Sequence, residues 1–182
     1  MTPLLREATE LVAILMGRPA GQPPSMHGWM KVAAEKGDAA AGERLFFHAK
    51  GPQCFVCHRV NGRGGYLGPD LSRIGSSRSR EILIRKIRDA SASIVPGYKP
   101  VTLVTTDGRR VRGVTKGDDA FSIRIMDTRE QLQGYLKSSL REIIEEPRSL
   151  MPDFDAQRLG ERDLDDLLRY LSTLRGAGPP RR

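Results

Sequence analysis

The chain has 182 residues, 38% of them hydrophobic and 5% aromatic, with a formal net charge of +8. That length suits one small globular domain, or two. With no run of about twenty apolar residues, no transmembrane span is expected.

From the N-terminus, Leu4, Leu5, Ala8, Leu11, Val12 and Leu15 form an amphipathic helical stripe. Leu11 to Met16 is a short apolar run, but Glu7 and Glu10 stand where the basic region of a secretory signal belongs. Gly17 to Pro24 breaks the stripe with two glycines and three prolines. A second short helix is expected over Trp29 to Lys36, and a third over Asp38 to Phe47 with Asp38 as its N-cap.

Cys54-Phe55-Val56-Cys57-His58 follows. It spells C-x-x-C-H, the pattern that attaches haem through two thioethers and sets the adjacent histidine under the iron. The two cysteines are the only ones in the chain. As a redox dithiol the motif wants a thioredoxin-like βαβ context, which the flanks do not offer. As half of a zinc site it wants four ligands, and only His27 and His48 remain as further histidines. Haem attachment is the reading the residues favour. It consumes both thiols, so no disulfide is expected.

A Gly-rich loop from Gly62 leads into Gly68-Pro69-Asp70-Leu71. Ser79 to Ala90 reads as a basic helix carrying Ile82, Leu83, Ile84 and Ile87, ended by Ile94-Val-Pro-Gly-Tyr98. Val101 to Thr106 and Arg109 to Thr115 alternate around Asp107-Gly108, a hairpin signal. Phe121 to Met126 alternates again, and Gln131 to Lys137 and Leu140 to Ile144 add two short strands. About five strands in so short a span suggest a small antiparallel barrel. Ser149-Leu150-Met151-Pro152 precedes a last helix over about Glu161 to Leu174, whose Leu164, Leu167, Leu168, Leu171 and Leu174 predict one buried face.

The order helix, C-x-x-C-H, G-P-x-L, Met-Pro loop and C-terminal helix resembles the class I c-type cytochromes, over roughly residues 38–91 and 147–175. The resemblance implies a mainly α, cytochrome c-like helical fold around one covalent haem c with its iron. Here that fold carries an inserted Sm-like or SH3-like β-barrel. It implies thioethers at Cys54 and Cys57, His58 as proximal ligand, and the Pro69 carbonyl as its hydrogen-bond partner. Leu71 would stand against the cofactor and Met151 would be the distal ligand. Gly42 and Phe46 would pack near Tyr170. Of the other methionines, Met1, Met16, Met26 and Met30 precede the motif and Met126 sits in a strand-like segment. His48, near the end of its helix, is the competing axial group. The expected domains are an N-terminal extension (1–37), a cytochrome domain (38–97 and 147–176), the β insertion (98–146) and a basic tail (177–182).

One subtype is similar in more detail: the haem-binding domain at the C-terminus of large predicted membrane-bound dehydrogenases. The matching elements are Gly68-Pro-Asp-Leu71, Ile94-Val-Pro-Gly-Tyr98, the Asp107-Gly108 hairpin and Ser149-Leu-Met-Pro152. The N-terminal helices are then either the end of upstream helical repeats or an extension wrapped on the cytochrome. The expected role is electron transfer rather than enzymatic catalysis, with electrons accepted from a dehydrogenase and a periplasmic or otherwise exported location. The alternative is a haem enzyme or ligand sensor with an open distal site, peroxidase-like. A third class, a structural or docking domain, leaves the intact C-x-x-C-H unexplained as a whole function. The positive charge invites a nucleic-acid reading, but residues 98–146 are nearly balanced in charge and offer no aromatic stacking platform. The excess lies in Arg73, Arg78, Arg80, Arg85, Lys86 and Arg88 and in the Arg181-Arg182 tail. There it suits either a solvated helix face with two arginines aimed at the haem propionates, or steering of an acidic redox partner.

Overall fold

A computed structural model describes residues 36–176. The expectations for the Leu4–Leu15 stripe, the Trp29–Lys36 helix and the terminal basic tail fall outside those residues, wholly or nearly so. Helix α1 spans Ala39–Phe46. It starts where the Asp38 carboxylate accepts from the N–H groups of Ala40 (2.8 Å) and Ala41 (3.4 Å), satisfying donors that have no partner within the helix. Three helices follow, two of them single turns: α2 (Cys54–Cys57), α3 (Ile74–Ser77) and α4 (Arg80–Arg88). Helix α5 (Glu161–Thr173) is the longest described. It buries Leu164, Leu167, Leu168, Tyr170 and Leu171, the face its leucine spacing predicts.

Helices α1 and α5 cross closely. Phe46 and Tyr170 meet with ring centroids 5.8 Å apart, and the N–H of Asp38 donates to the Asp166 carboxylate at 2.6 Å. The crossing requires glycine at position 42, because a Cβ there would collide with the carbonyl of Asp166. With Leu83, Ile87, Phe154, Leu159 and Leu174, these side chains form the helical core.

Between α4 and α5 the chain turns to strands. A two-residue ladder, β1 (Arg59–Val60) with β2 (Arg63–Gly64), already precedes them. Its turn is Asn61-Gly62 with φ of 49° and 83°, the left-handed pair that a two-residue hairpin needs. Strands β3 (Pro100–Thr105), β4 (Arg110–Asp118), β5 (Ser122–Asp127), β6 (Leu132–Leu136) and β7 (Leu140–Glu145) form one antiparallel sheet in the order β6-β5-β4-β3-β7. Strands β6 and β7 are its edges, and no ladder among the described residues closes one onto the other. The sheet has its own apolar core in Val101, Leu103, Ile123 and Ile125. β3 is buried along its whole length; Thr102 answers its polar atom by donating to Glu146 at 2.7 Å.

The expectation of a mainly α protein is therefore wrong. The described residues are 29% helical and 26% strand. Two of the helices, α2 and α3, are single turns of four residues, whereas residues 100–145 hold five strands of alternating or β-branched sequence. The described helical and sheet regions belong to the same compact unit, which begins at Gly37.

Candidate functional site

The Cys54–Cys57 turn is entered through Gln53, a non-glycine residue in left-handed conformation (φ 54°). His58 caps it, its N–H donating to the Cys54 carbonyl at 2.9 Å. So short a turn leaves its other carbonyls without helical partners. The following loop supplies them: Gly65 N–H donates to Phe55 O (2.8 Å) and Gly68 N–H to Cys57 O (2.7 Å). Gly68 also stands against the imidazole, where a Cβ would lie 2.7 Å from Cε1 and 2.8 Å from Nδ1 of His58. No larger residue fits without displacing the ring.

His58 Nδ1 lies 2.8 Å from the Pro69 carbonyl oxygen. A carbonyl can only accept, so Nδ1 carries the proton and Nε2 keeps its lone pair. Burial holds the imidazole pKa below its usual value, opposed by the bond to Pro69. The ring is thus neutral, in one tautomer, with one nitrogen able to ligate. Burial pushes the Cys54 thiol up to about 12. Cys57 is raised as well, by burial and then by the nearby Glu130 carboxylate. Redox-active dithiols depend on a lowered pKa, so these thiols do not suit that chemistry. Among the described residues no group of three or more His, Cys, Asp or Glu could hold a metal ion, so the half-zinc reading finds no completing ligands there.

Cys54, Cys57, His58, Pro69, Leu71 and Met151 all line one cleft of about 370 Å³. Ile74, Leu83, Ile87, Phe154 and Leu171 make its walls chiefly apolar, and Val114 and Tyr98 come to it from the sheet and the segment before it. This size and character suit a flat apolar cofactor anchored by a few placed polar groups. Asp70, at the rim, is held below the usual carboxylate range by hydrogen bonds from Ser72 and, less, by Arg59.

Met151 sits in a loop tied to the end of α4. Its N–H donates to Ser149 Oγ (3.1 Å), and the Ser149 N–H donates to Ser91 Oγ (3.1 Å). The Ala90 N–H donates to the Asp153 carboxylate (2.8 Å) and the Phe154 N–H to Ile87 O (3.0 Å). Arg88 spans the loop, donating to the carbonyls of Phe154 and Leu159 at 2.8 Å each and to Glu161 at 2.6 Å. His48 is exposed, receives the Lys50 N–H on Nδ1 (3.1 Å) and does not line the cleft. Met126 lies in β5, away from the cleft. Of the basic residues expected to form a patch, Arg80 pairs with Asp165 and Arg88 serves the loop, while Arg78 and Lys86 line the cleft.

Three contributors lie outside the sequence motifs: Arg88, Val114 and Glu130. The carboxylate of Glu130 accepts from the N–H groups of Tyr66 (2.7 Å) and Leu67 (3.3 Å) in the loop behind His58. No local signal marks a contact across 63 or 64 residues.

Residues 39–103 match the cytochrome c family model, about a third of the chain. The match holds the C-x-x-C-H segment and the Pro69 loop and stops within β3, before Met151 and α5. No curated protein matches the sequence. The matched family binds covalently attached haem c with its iron and generally transfers electrons rather than catalysing reactions. The match supports a haem-binding, electron-transfer role, and with it a redox partner, for this c-type cytochrome-like chain. No helix among the described residues is long and apolar enough to cross a membrane.

Proposed function

We propose that this chain is a one-haem electron-transfer module of the c-type cytochrome kind. Cys54 and Cys57 would hold its haem covalently, and His58 and Met151 would ligate the iron. The observation that carries the reading is the His58 Nδ1–H bond to Pro69 O at 2.8 Å, made at the wall of an apolar cleft that both cysteines and Met151 also line. A bound haem would supply a one-electron iron couple, with a potential raised by Met/His ligation.

The side chains have separate tasks. Cys54 and Cys57 would anchor the haem, their thiols supplying its two points of covalent attachment. Pro69 fixes the tautomer and orientation of His58 and increases its basicity. Leu71, Ile87 and Phe154 keep water from the cleft. The loop bonded to Arg88 and Ser91 carries Met151.

An open-site enzyme would need an acid–base group on the distal side. Asp153 is engaged by Ala90 and Arg148, and Asp155 caps the turn at Gln157 and Arg158. Neither lines the cleft, and the matched family generally transfers electrons, which makes electron transfer the better reading. The donor we propose is a dehydrogenase, fused or separate, acting outside the cytoplasm. The near-balanced sheet, with pairs such as Arg112–Glu146 and Lys137–Asp118, serves protein contacts rather than nucleic acid.

Expression with haem-maturation machinery, followed by denaturing electrophoresis and haem staining, tests the attachment. Haem should travel with the wild-type polypeptide and be lost from the Cys54→Ala, Cys57→Ala double variant. A wild-type polypeptide free of covalent haem would overturn the reading.

A further inference from the structure

Besides Val114 in the cleft wall, the sheet reaches the candidate redox site through an acidic side chain. Glu130 stands in the turn between β5 and β6 with φ of 63°, a left-handed conformation unusual for a side chain of its size. Asp127, 2% exposed, builds that turn. One of its carboxylate oxygens accepts from the N–H groups of Arg129 and Gln131, both at 2.9 Å, and the other accepts from the Gln133 side chain at 2.5 Å. The Glu130 N–H closes the turn on the Asp127 carbonyl at 2.9 Å. A buried, fully bonded carboxylate thus holds the backbone in the shape that carries Glu130.

Glu130 uses its carboxylate on another part of the chain. A single oxygen accepts from two successive peptide N–H groups, Tyr66 at 2.7 Å and Leu67 at 3.3 Å, bonds strengthened by the charge on the acceptor. Position 65 has to be glycine for this approach, since a Cβ there would collide with that oxygen and with the carbonyl of Val56. Two residues past Leu67 is Pro69, whose carbonyl receives the His58 ring proton.

We propose that Glu130 is a positioning residue for His58: from the sheet it clamps the Tyr66–Leu67 peptides and so fixes the Pro69 carbonyl that orients the imidazole. The sheet is then part of the redox site and sets the strength of the proximal hydrogen bond. This rests on the haem reading above. Loss of the clamp weakens the Nδ1–H bond, leaves the imidazole a poorer donor and favours the reduced iron.

The test compares Glu130→Ala with Glu130→Gln in the haem-loaded protein, with unchanged far-ultraviolet circular dichroism as the folding control. The Gln variant keeps an acceptor oxygen without the charge. In Glu130→Ala the His58 Nδ1–H should exchange with solvent about tenfold faster by NMR of the reduced protein. The reduction equilibrium should shift about threefold toward the reduced form, about 28 mV at 59 mV per decade. Glu130→Gln should restore most of the exchange protection. Wild-type exchange and potential in Glu130→Ala would overturn the proposal, as would Ala and Gln variants equally perturbed in exchange. If the protein carries no covalent haem, the functional reading fails instead. The clamp is then read separately from amide exchange at Tyr66 and Leu67, which must accelerate in Glu130→Ala for it to stand.

Discussion

Replacing Arg88 by alanine should loosen the loop that carries Met151. The guanidinium donates to two backbone carbonyls, Phe154 and Leu159, at 2.8 Å, and to Glu161 at 2.6 Å. Its side chain is 21% exposed, whereas that of Glu161 is 78% exposed, so the ion pair itself is worth at most about 1 kcal/mol. The two carbonyl bonds matter more. Hydrogen bonds to a charged group contribute about 1.5–3 kcal/mol each, and water entering the vacated space recovers part of that. A loss of about 2–4 kcal/mol follows from these ranges. It should appear as a lower urea midpoint at unchanged slope. In the haem-loaded protein, the optical signature of methionine ligation should weaken before global unfolding. Arg88→Lys should fall between, because an ammonium offers a point charge instead of a planar fork. An Arg88→Ala protein within about 0.5 kcal/mol of wild type, with an intact axial signature, would refute this account of the loop.

Gly42→Ala should destabilise the protein by about 1–3 kcal/mol through overpacking, although alanine gains about 1 kcal/mol over glycine in helix propensity. The new Cβ would meet the backbone of Asp166, which cannot swing aside as a side chain could. Thermal unfolding of the two proteins decides between these opposite signs. Glu146 is held below its ordinary pKa of 4.5, chiefly by Arg112 and also by Thr102. Its contribution is therefore fully present above that ordinary value and is lost as pH falls through the lower folded value. Because Arg112 is 53% exposed, Glu146→Gln should cost only about 0.5–1 kcal/mol at pH 7 after solvent screening. The difference from wild type should shrink in acid, as measured by urea midpoints on both sides of that range; a gap that does not narrow would contradict the assignment.

Much of the site can be read from adjacent residues. C-x-x-C-H is local, so its placement on one turn beside His58 follows from spacing, as do the Asp38 cap and the leucine face of α5. The Asp107-Gly108 hairpin is local too. Asn61-Gly62 is an equally local turn signal, masked by the glycines that follow it. The balance of helix and strand does not follow from the cytochrome-like motifs, because α2 and α3 shrink to single turns and the strands occupy nearly as many described residues. The register shift between Thr115 and Gly117 falls at a glycine inside β4, the residue type that marks a bulge, though its position alone does not give the new register. Glu130 and Arg88 carry no local mark beyond their charge. Their roles depend on loops 63 to 73 residues away, and nothing in their neighbouring residues records those partners.

The proposed function requires that both His58 and Met151 hold the haem iron. Optical spectra of the haem-loaded wild type and of Met151→Ala test it most directly. A low-spin wild type whose axial signature disappears in the variant is the predicted result. A high-spin wild type whose spectrum is untouched by the substitution would contradict it and return the open-site enzyme to favour.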